Sequence, residues 1–217
     1  MKKLVIILGT AHLITTPGKC SPDGKFREPV WSREIVDRLE AELKARGYMV
    51  FMDYKPLEPN FQMKSNMWRT EQSRELRYRV NFVNDICRQY GAQNCVYLSI
   101  HNNACPPNDG QWHKATGFSI WVAHAASAKS KRLAQLIYDE AAAAGLAGNR
   151  SVPANRYWVA DFYVLKNTAC PAILSENLFQ DNKSDVAILQ SELGKDLLVN
   201  AHLHGIENFA KEYGYGE

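Results

Sequence analysis

The 217-residue chain has no apolar run near the roughly 18 residues that a membrane-spanning helix requires, so no transmembrane segment is expected. It also lacks an excess of either charge. Its 26 Lys and Arg against 23 Asp and Glu leave +3, too little to argue for nucleic acid as a partner. Cys20, Cys87, Cys95, Cys105 and Cys170 are odd in number and include no CxxC pair, which argues against a disulfide framework or a Cys-rich zinc finger. Reduced thiols are the default. The alternative is a bridge or a reactive thiol at Cys20 and Cys105, each of which follows a histidine of interest. There is no internal repeat, low-complexity tract or linker, so residues 1–217 read as one domain.

What is present is ordinary globular composition, 46% apolar and 23% charged. The start, "MKKLVIILGTAHL", imitates a signal peptide. Its apolar part runs only from Leu4 to Leu8 and no small-x-small cleavage site follows, so it reads as a first strand. The chain is accordingly expected to be made in the cytoplasm without its own export signal.

Apolar, β-branched runs recur at 3–8, 48–54, 95–100, 117–122, 159–165 and 171–175, with the length and composition of strands. Between them lie helical stripes. Trp31, Ile35, Val36, Leu39 and Leu43 form one before Gly47, and Leu76, Val80, Val83 and Ile86 form the next. Leu133, Leu136, Ile137 and Ala141 precede Gly145, and the tail carries Leu193, Leu197, Ala201, Ile206 and Phe209. This alternation predicts an α/β three-layer sandwich, a largely parallel twisted sheet of about six strands with helices on both faces.

Three of the predicted strands end in a titratable side chain: His12 after "LVIILGTA", His101 after "VYLSI" and Glu176 after "PAILS". Ligands of open α/β sheets bind beyond the carboxyl ends of the strands, so parallel strands would bring these groups to a common edge. Two histidines and a carboxylate are ligand types of a catalytic zinc site. A third protein ligand is then needed, because Glu176 could serve as ligand or as base. Glu28, just before a helix, is the candidate; Glu34, a turn inside that helix, competes with it, and Asp23 is a weaker option. Arg69, Arg74, Arg77 and Arg79 read as a solvated helix face. His202 and His204 stand two apart on a helix, share no face, and are left structural.

The order His12, Glu28, His101, Glu176 resembles the zinc-dependent N-acetylmuramoyl-L-alanine amidases of the Amidase_3 type, which cut peptidoglycan. "LSIHNNA" is similar to the family's S-I-H-x-N-A segment. "ILSENLFQDNKSD" is similar to L-x-E-x-G-F-x-x-N-x-x-D, and "RVNFVN" at Arg79–Asn84 to R-x-x-x-A-N. The resemblance runs from about residue 4 to about residue 208. It departs where "LGTAHLITTPGK" stands for the family's D-P-G-H-G-G, and where Leu178 replaces a glycine.

The resemblance implies a phosphorylase/hydrolase-like fold with one Zn²⁺ held by His12, Glu28 and His101, and Glu176 as general base. It implies cleavage of the amide between the lactyl group of N-acetylmuramic acid and L-alanine. Asn103 and Arg79 are expected to brace the site or touch substrate; His113 and Trp112, in the irregular loop 104–116, either line the groove or form an exposed loop pair. The rivals are a zinc carboxypeptidase-like peptide hydrolase and a wall-binding module without catalysis. Peptidoglycan is the expected partner and a monomer the expected state. A lysin released by a route other than its own signal, such as a phage or prophage endolysin, is the expected setting.

Overall fold

A computed structural model of the chain describes residues 3–57, 67–106 and 109–216. The strands are β1 Val5–Thr10, β2 Met49–Met52, β3 Cys95–Asn103, β4 Ser119–Val122, β5 Trp158–Val159 and β6 Ala172–Phe179. The helices are α1 Glu28–Ala45, α2 Tyr54–Leu57, α3 Trp68–Tyr90, α4 Ala128–Ala143, α5 Tyr163–Asn167, α6 Lys183–Gln190 and α7 Glu192–Glu212. The six strands form one sheet in the order β2-β1-β3-β6-β4-β5. The strands β2, β1, β3 and β6 are mutually parallel. β4 runs antiparallel to β6, and β5 follows β4.

Alternation along the central strands divides the core in two. Ile6, Leu8, Val96, Leu98 and Ile173 pack toward α1, α4, α6 and α7, whereas Val5, Ile7, Tyr97 and Leu174 pack toward α3 and α5. Both faces are therefore covered, which is why β1 and β3 read as unbroken apolar runs. Gly9 in β1 is required sterically: a methyl there would collide with the Tyr97 hydroxyl and crowd Asp53.

The run 159–165 is not a strand. β5 holds only Trp158–Val159, and Leu165 N and Lys166 N both donate to Phe162 O (2.9 and 3.0 Å) as α5 begins. At the sheet edge the run has no outer partner strand among the described residues, and local helical bonds serve its backbone; a short apolar run does not reveal its period. Two strands also extend beyond their expected ends. β3 runs on through His101 to Asn103, and β6 through Glu176 to Phe179, with an irregular register between His101 and Asn103.

Candidate active site

His12 lies two residues beyond β1 with φ 48°, a left-handed conformation uncommon for a non-glycine residue. The surroundings hold it there. Its carbonyl accepts from Arg33 Nη2 (2.9 Å) and Arg79 Nη2 (3.1 Å), while Ala11 N donates to Ser32 Oγ (2.9 Å). Arg79 is itself buried, pairing with Asp53 (2.5 Å) and Glu75 (2.8 Å). Tyr97 OH donates to Asp53 Oδ2 (2.9 Å). Burial opposes the charge of Arg79, and Asp53 and Glu75 more than restore it. Arg79 thus leaves the solvated face expected of it, whereas Arg69, Arg74 and Arg77 are exposed.

Glu28 is the first residue of α1, with Pro29 behind it as a good helix starter. The loop from His12 folds back through a bridge of Cys20 with Arg27, and Glu28 N donates to Lys19 O (3.1 Å). Ser21 Oγ closes that turn, accepting from Phe26 N (3.0 Å) and donating to Asp23 Oδ1 (2.6 Å). Asp23 is consumed in this turn, and Glu34 pairs at the surface with Arg38 (2.6 Å) and Lys195 (2.8 Å). Neither competitor joins the histidines.

His101 and Glu176 are register partners on β3 and β6. His101 Nδ1 lies 3.1 Å from Glu28 Oε1, and His12 Nε2 lies 3.5 Å from Glu28 Oε2. One ligand atom from each of His12, Glu28 and His101 falls within 4.8 Å of the others. Burial pushes His12 down to about 3, against the pull of Glu28, leaving a neutral imidazole at pH 7. Burial also opposes charge on Glu28, yet the facing histidines keep its carboxyl low, at about 2. His12 and Glu28 are therefore held in their unprotonated forms, the forms that ligate a metal. Glu28 Oε2 is buried with no hydrogen-bond donor among the described residues, an oxygen that a cation would satisfy.

Glu176 behaves oppositely. Burial and the negative Glu28 push its carboxyl well above the ordinary range, and its Oε2 is buried without a partner among the described residues. It lines a cleft of about 480 Å³ together with His12, Glu28 and His101; Leu76, Phe162 and Tyr163 form another part of the wall.

Asn103 also lines this cleft, with Oδ1 accepting from Ala104 N (2.9 Å). The contact to Glu28 comes from its neighbour, since Asn102 N donates to Glu28 Oε1 (3.1 Å). Asn102 Nδ2 donates to Asn177 O (2.5 Å) and Asn177 Nδ2 to His101 O (2.9 Å), so two side-chain amides stitch the strands where the ladder is irregular. These asparagines escaped the sequence reading. Asparagine inside a strand is disfavoured, and that was the available signal.

His113 and Trp112 sit elsewhere, in a cavity shared with Asn182 and Lys183. Asn182 Nδ2 donates to His113 O (3.0 Å) and Lys183 Nζ lies 5.7 Å from the Trp112 ring, which holds this loop against the start of α6. From the loop 104–116, Ala104, Cys105 and Pro106 border the cleft; Pro107 and Asn108 lie outside the described residues. All five cysteines are free.

No described helix is long and apolar enough to cross a membrane. Comparison with known proteins finds an endolysin of Bacillus phage SPP1, 31% identical over 111 residues, 51% of this chain and 38% of that one. The match thus spans less than two fifths of the relative. Among solved structures, the CwlD amidase of Clostridioides difficile, in complex with the GerS lipoprotein, superposes with a TM-score of 0.78 at 21% identity, covering 97% of this chain and 100% of that one. The Ami1 amidase of Mycobacterium smegmatis gives 0.74 at 18% identity, with 96% and 97% covered. These identities establish a shared fold. The family model described as N-acetylmuramoyl-L-alanine amidase, Amidase_3, matches residues 6–208, and the chain belongs to that family.

Proposed function

We propose that this chain hydrolyses the amide between the lactyl group of N-acetylmuramic acid and L-alanine in peptidoglycan, with one Zn²⁺ held by His12, Glu28 and His101. The observation that carries the reading is the convergence of those three ligand atoms within 4.8 Å, beside a buried Glu176, in a chain matched almost end to end by an amidase family. The donor set fits zinc: two imidazoles and one carboxylate, a composition that leaves a coordination position open. The chemistry such an ion supplies when bound is Lewis acidity, which polarises a carbonyl and brings the pKa of water toward about 7.

The remaining work falls to the protein. Glu176 Oε2, lacking any partner among the described residues, is free to take a proton from the attacking water and return it to the departing amine. The raised affinity of this carboxyl for a proton suits a group that must carry one between two steps. Asn102 and Asn177 hold the strand segment that carries His101, and Arg33 and Arg79 hold the carbonyl of His12. The endolysin likeness supports a lysin that acts on the cell wall.

The test is incubation of the purified protein with peptidoglycan, with chelator and with zinc re-added, followed by identification of new termini. New L-alanine amines that vanish with chelator and return with zinc are expected. Glu176→Gln should keep its zinc and lose about 10²–10⁴ in rate, whereas His101→Ala should lose zinc as well. Chelator-resistant turnover, cleavage at sugar linkages, or a fully active Glu176→Gln protein would sink the assignment.

A further inference from the structure

Beside the metal cleft lies a second cavity of about 220 Å³, walled by Gly18, Cys20 and Ser21 on one side and by Ala104, Gln180 and Asp181 on the other. Ala104 and Gln180 belong to both cavities, so the two adjoin. Gln180 is 3% exposed and Asp181 6%, yet Gln180 Oε1 and Asp181 Oδ1 receive no hydrogen bond among the described residues. Cys105 N donates to Asp181 Oδ2 (2.7 Å), and Gln180 N to Asn103 O (2.8 Å). No described cation forms an ion pair with Asp181, and the one imidazole nearby, His113, is engaged with Asp109 (2.9 Å).

Both open atoms are acceptors and one belongs to a carboxylate. Buried acceptors without donors are costly, and what relieves them is an N–H donor, best a charged one. We propose that this cavity is a substrate subsite that takes a primary ammonium group of the stem peptide, the side-chain amine of a diamino residue beyond the L-alanine. The inference rests on the amidase reading for the identity of the substrate. Burial holding the Asp181 carboxyl above its ordinary range agrees with a carboxylate whose counter-charge arrives with a ligand.

The experiment measures binding without turnover. A muramoyl tripeptide ending in lysine, and the same compound acetylated at Nε, are titrated calorimetrically into the Glu176→Gln protein. Acetylation should weaken binding roughly tenfold or more, the scale of one charge-assisted hydrogen bond. Adding Asp181→Asn should bring the ratio close to one, and Gln180→Leu should reduce it; either variant suffices if the other fails to fold. Equal binding of the two tripeptides overturns the proposal and leaves the cavity to water. So does a preference that survives both variants. Release of L-alanine amines is measured separately with the unaltered chain, so loss of the amidase reading and loss of the subsite give different results.

Discussion

The two sides of the cleft handle buried polarity in opposite ways. Around β1 the network is closed: Thr10, His12, Asp53, Glu75, Arg79 and Tyr97 are joined by hydrogen bonds and ion pairs, and Arg33 adds a further donor to His12 O. Along β6 and the residues after it, Glu176 Oε2, Asn177 Oδ1, Gln180 Oε1 and Asp181 Oδ1 have no partner among the described residues. A closed network fixes geometry, whereas buried acceptors without donors leave a desolvation cost unrelieved. One region is closed upon itself and the other keeps acceptors unmatched among the described residues.

The largest expected effect breaks the closed side. Arg79→Met strands the Asp53 and Glu75 carboxylates in the interior, and a loss of about 3–5 kcal/mol is expected from denaturant unfolding. A loss below about 1 kcal/mol would mean that water already serves those carboxylates.

Behind the open side lies a polar layer. His202 Nδ1 donates to Leu198 O (2.7 Å), and its Nε2 accepts from Ser175 Oγ (2.9 Å). Burial lowers His202 to about 4 from 6.5, so between those values the unfolded chain binds a proton that the folded chain refuses. Unfolding is then favoured as pH falls from about 6.5 to about 4, by at most roughly 3 kcal/mol, and the contribution is intact above that window. Unfolding free energies of wild type and His202→Leu, both at saturating zinc, should converge as the pH drops through this range. Parallel curves would assign the acid sensitivity elsewhere.

The smallest effect sharpens the contrast at Leu178, where the resembled family has glycine. Leu178 adopts φ 60° while buried to 1% exposure in the core. Leu178→Gly relieves about 1 kcal/mol of backbone strain but forfeits burial worth about 2–5 kcal/mol. A net loss of about 2 kcal/mol in thermal or denaturant unfolding is expected, and a gain in stability would show that strain dominates there.

Much of the fold was legible because both faces of the central strands are buried. Runs such as Val5–Leu8 and Cys95–Ile100 announce themselves by composition, and the stripe Trp31–Leu43 by its period. The run 159–165 misled because a short apolar segment carries no period of its own. α6 passed unnoticed although Asn182 caps it, its Oδ1 accepting from Ser184 N and Asp185 N. His12, Glu28, His101 and Glu176 were legible as residue types at strand ends and a helix start. Whether His113 and Trp112 line the groove or form an exposed loop pair stayed open in the sequence, because an irregular loop carries no period that would orient them.

By itself the sequence determined the alternating α/β plan, the chemical kinds of the four candidate residues and the family pattern in SIHNNA and SENLF. Those follow from local periodicity and residue chemistry. Tertiary structure decided which carboxylate faces the histidines, since Glu28, Glu34 and Asp23 differ only in where the loop and helix deliver them. It also decided that Arg79 is buried, that Asn102 and Asn177 stitch the site, and that Gln180 and Asp181 lack donors. Partnership is a property of distance between segments far apart in the chain, and burial sets its energy. Neither can be read from a residue and its neighbours in sequence.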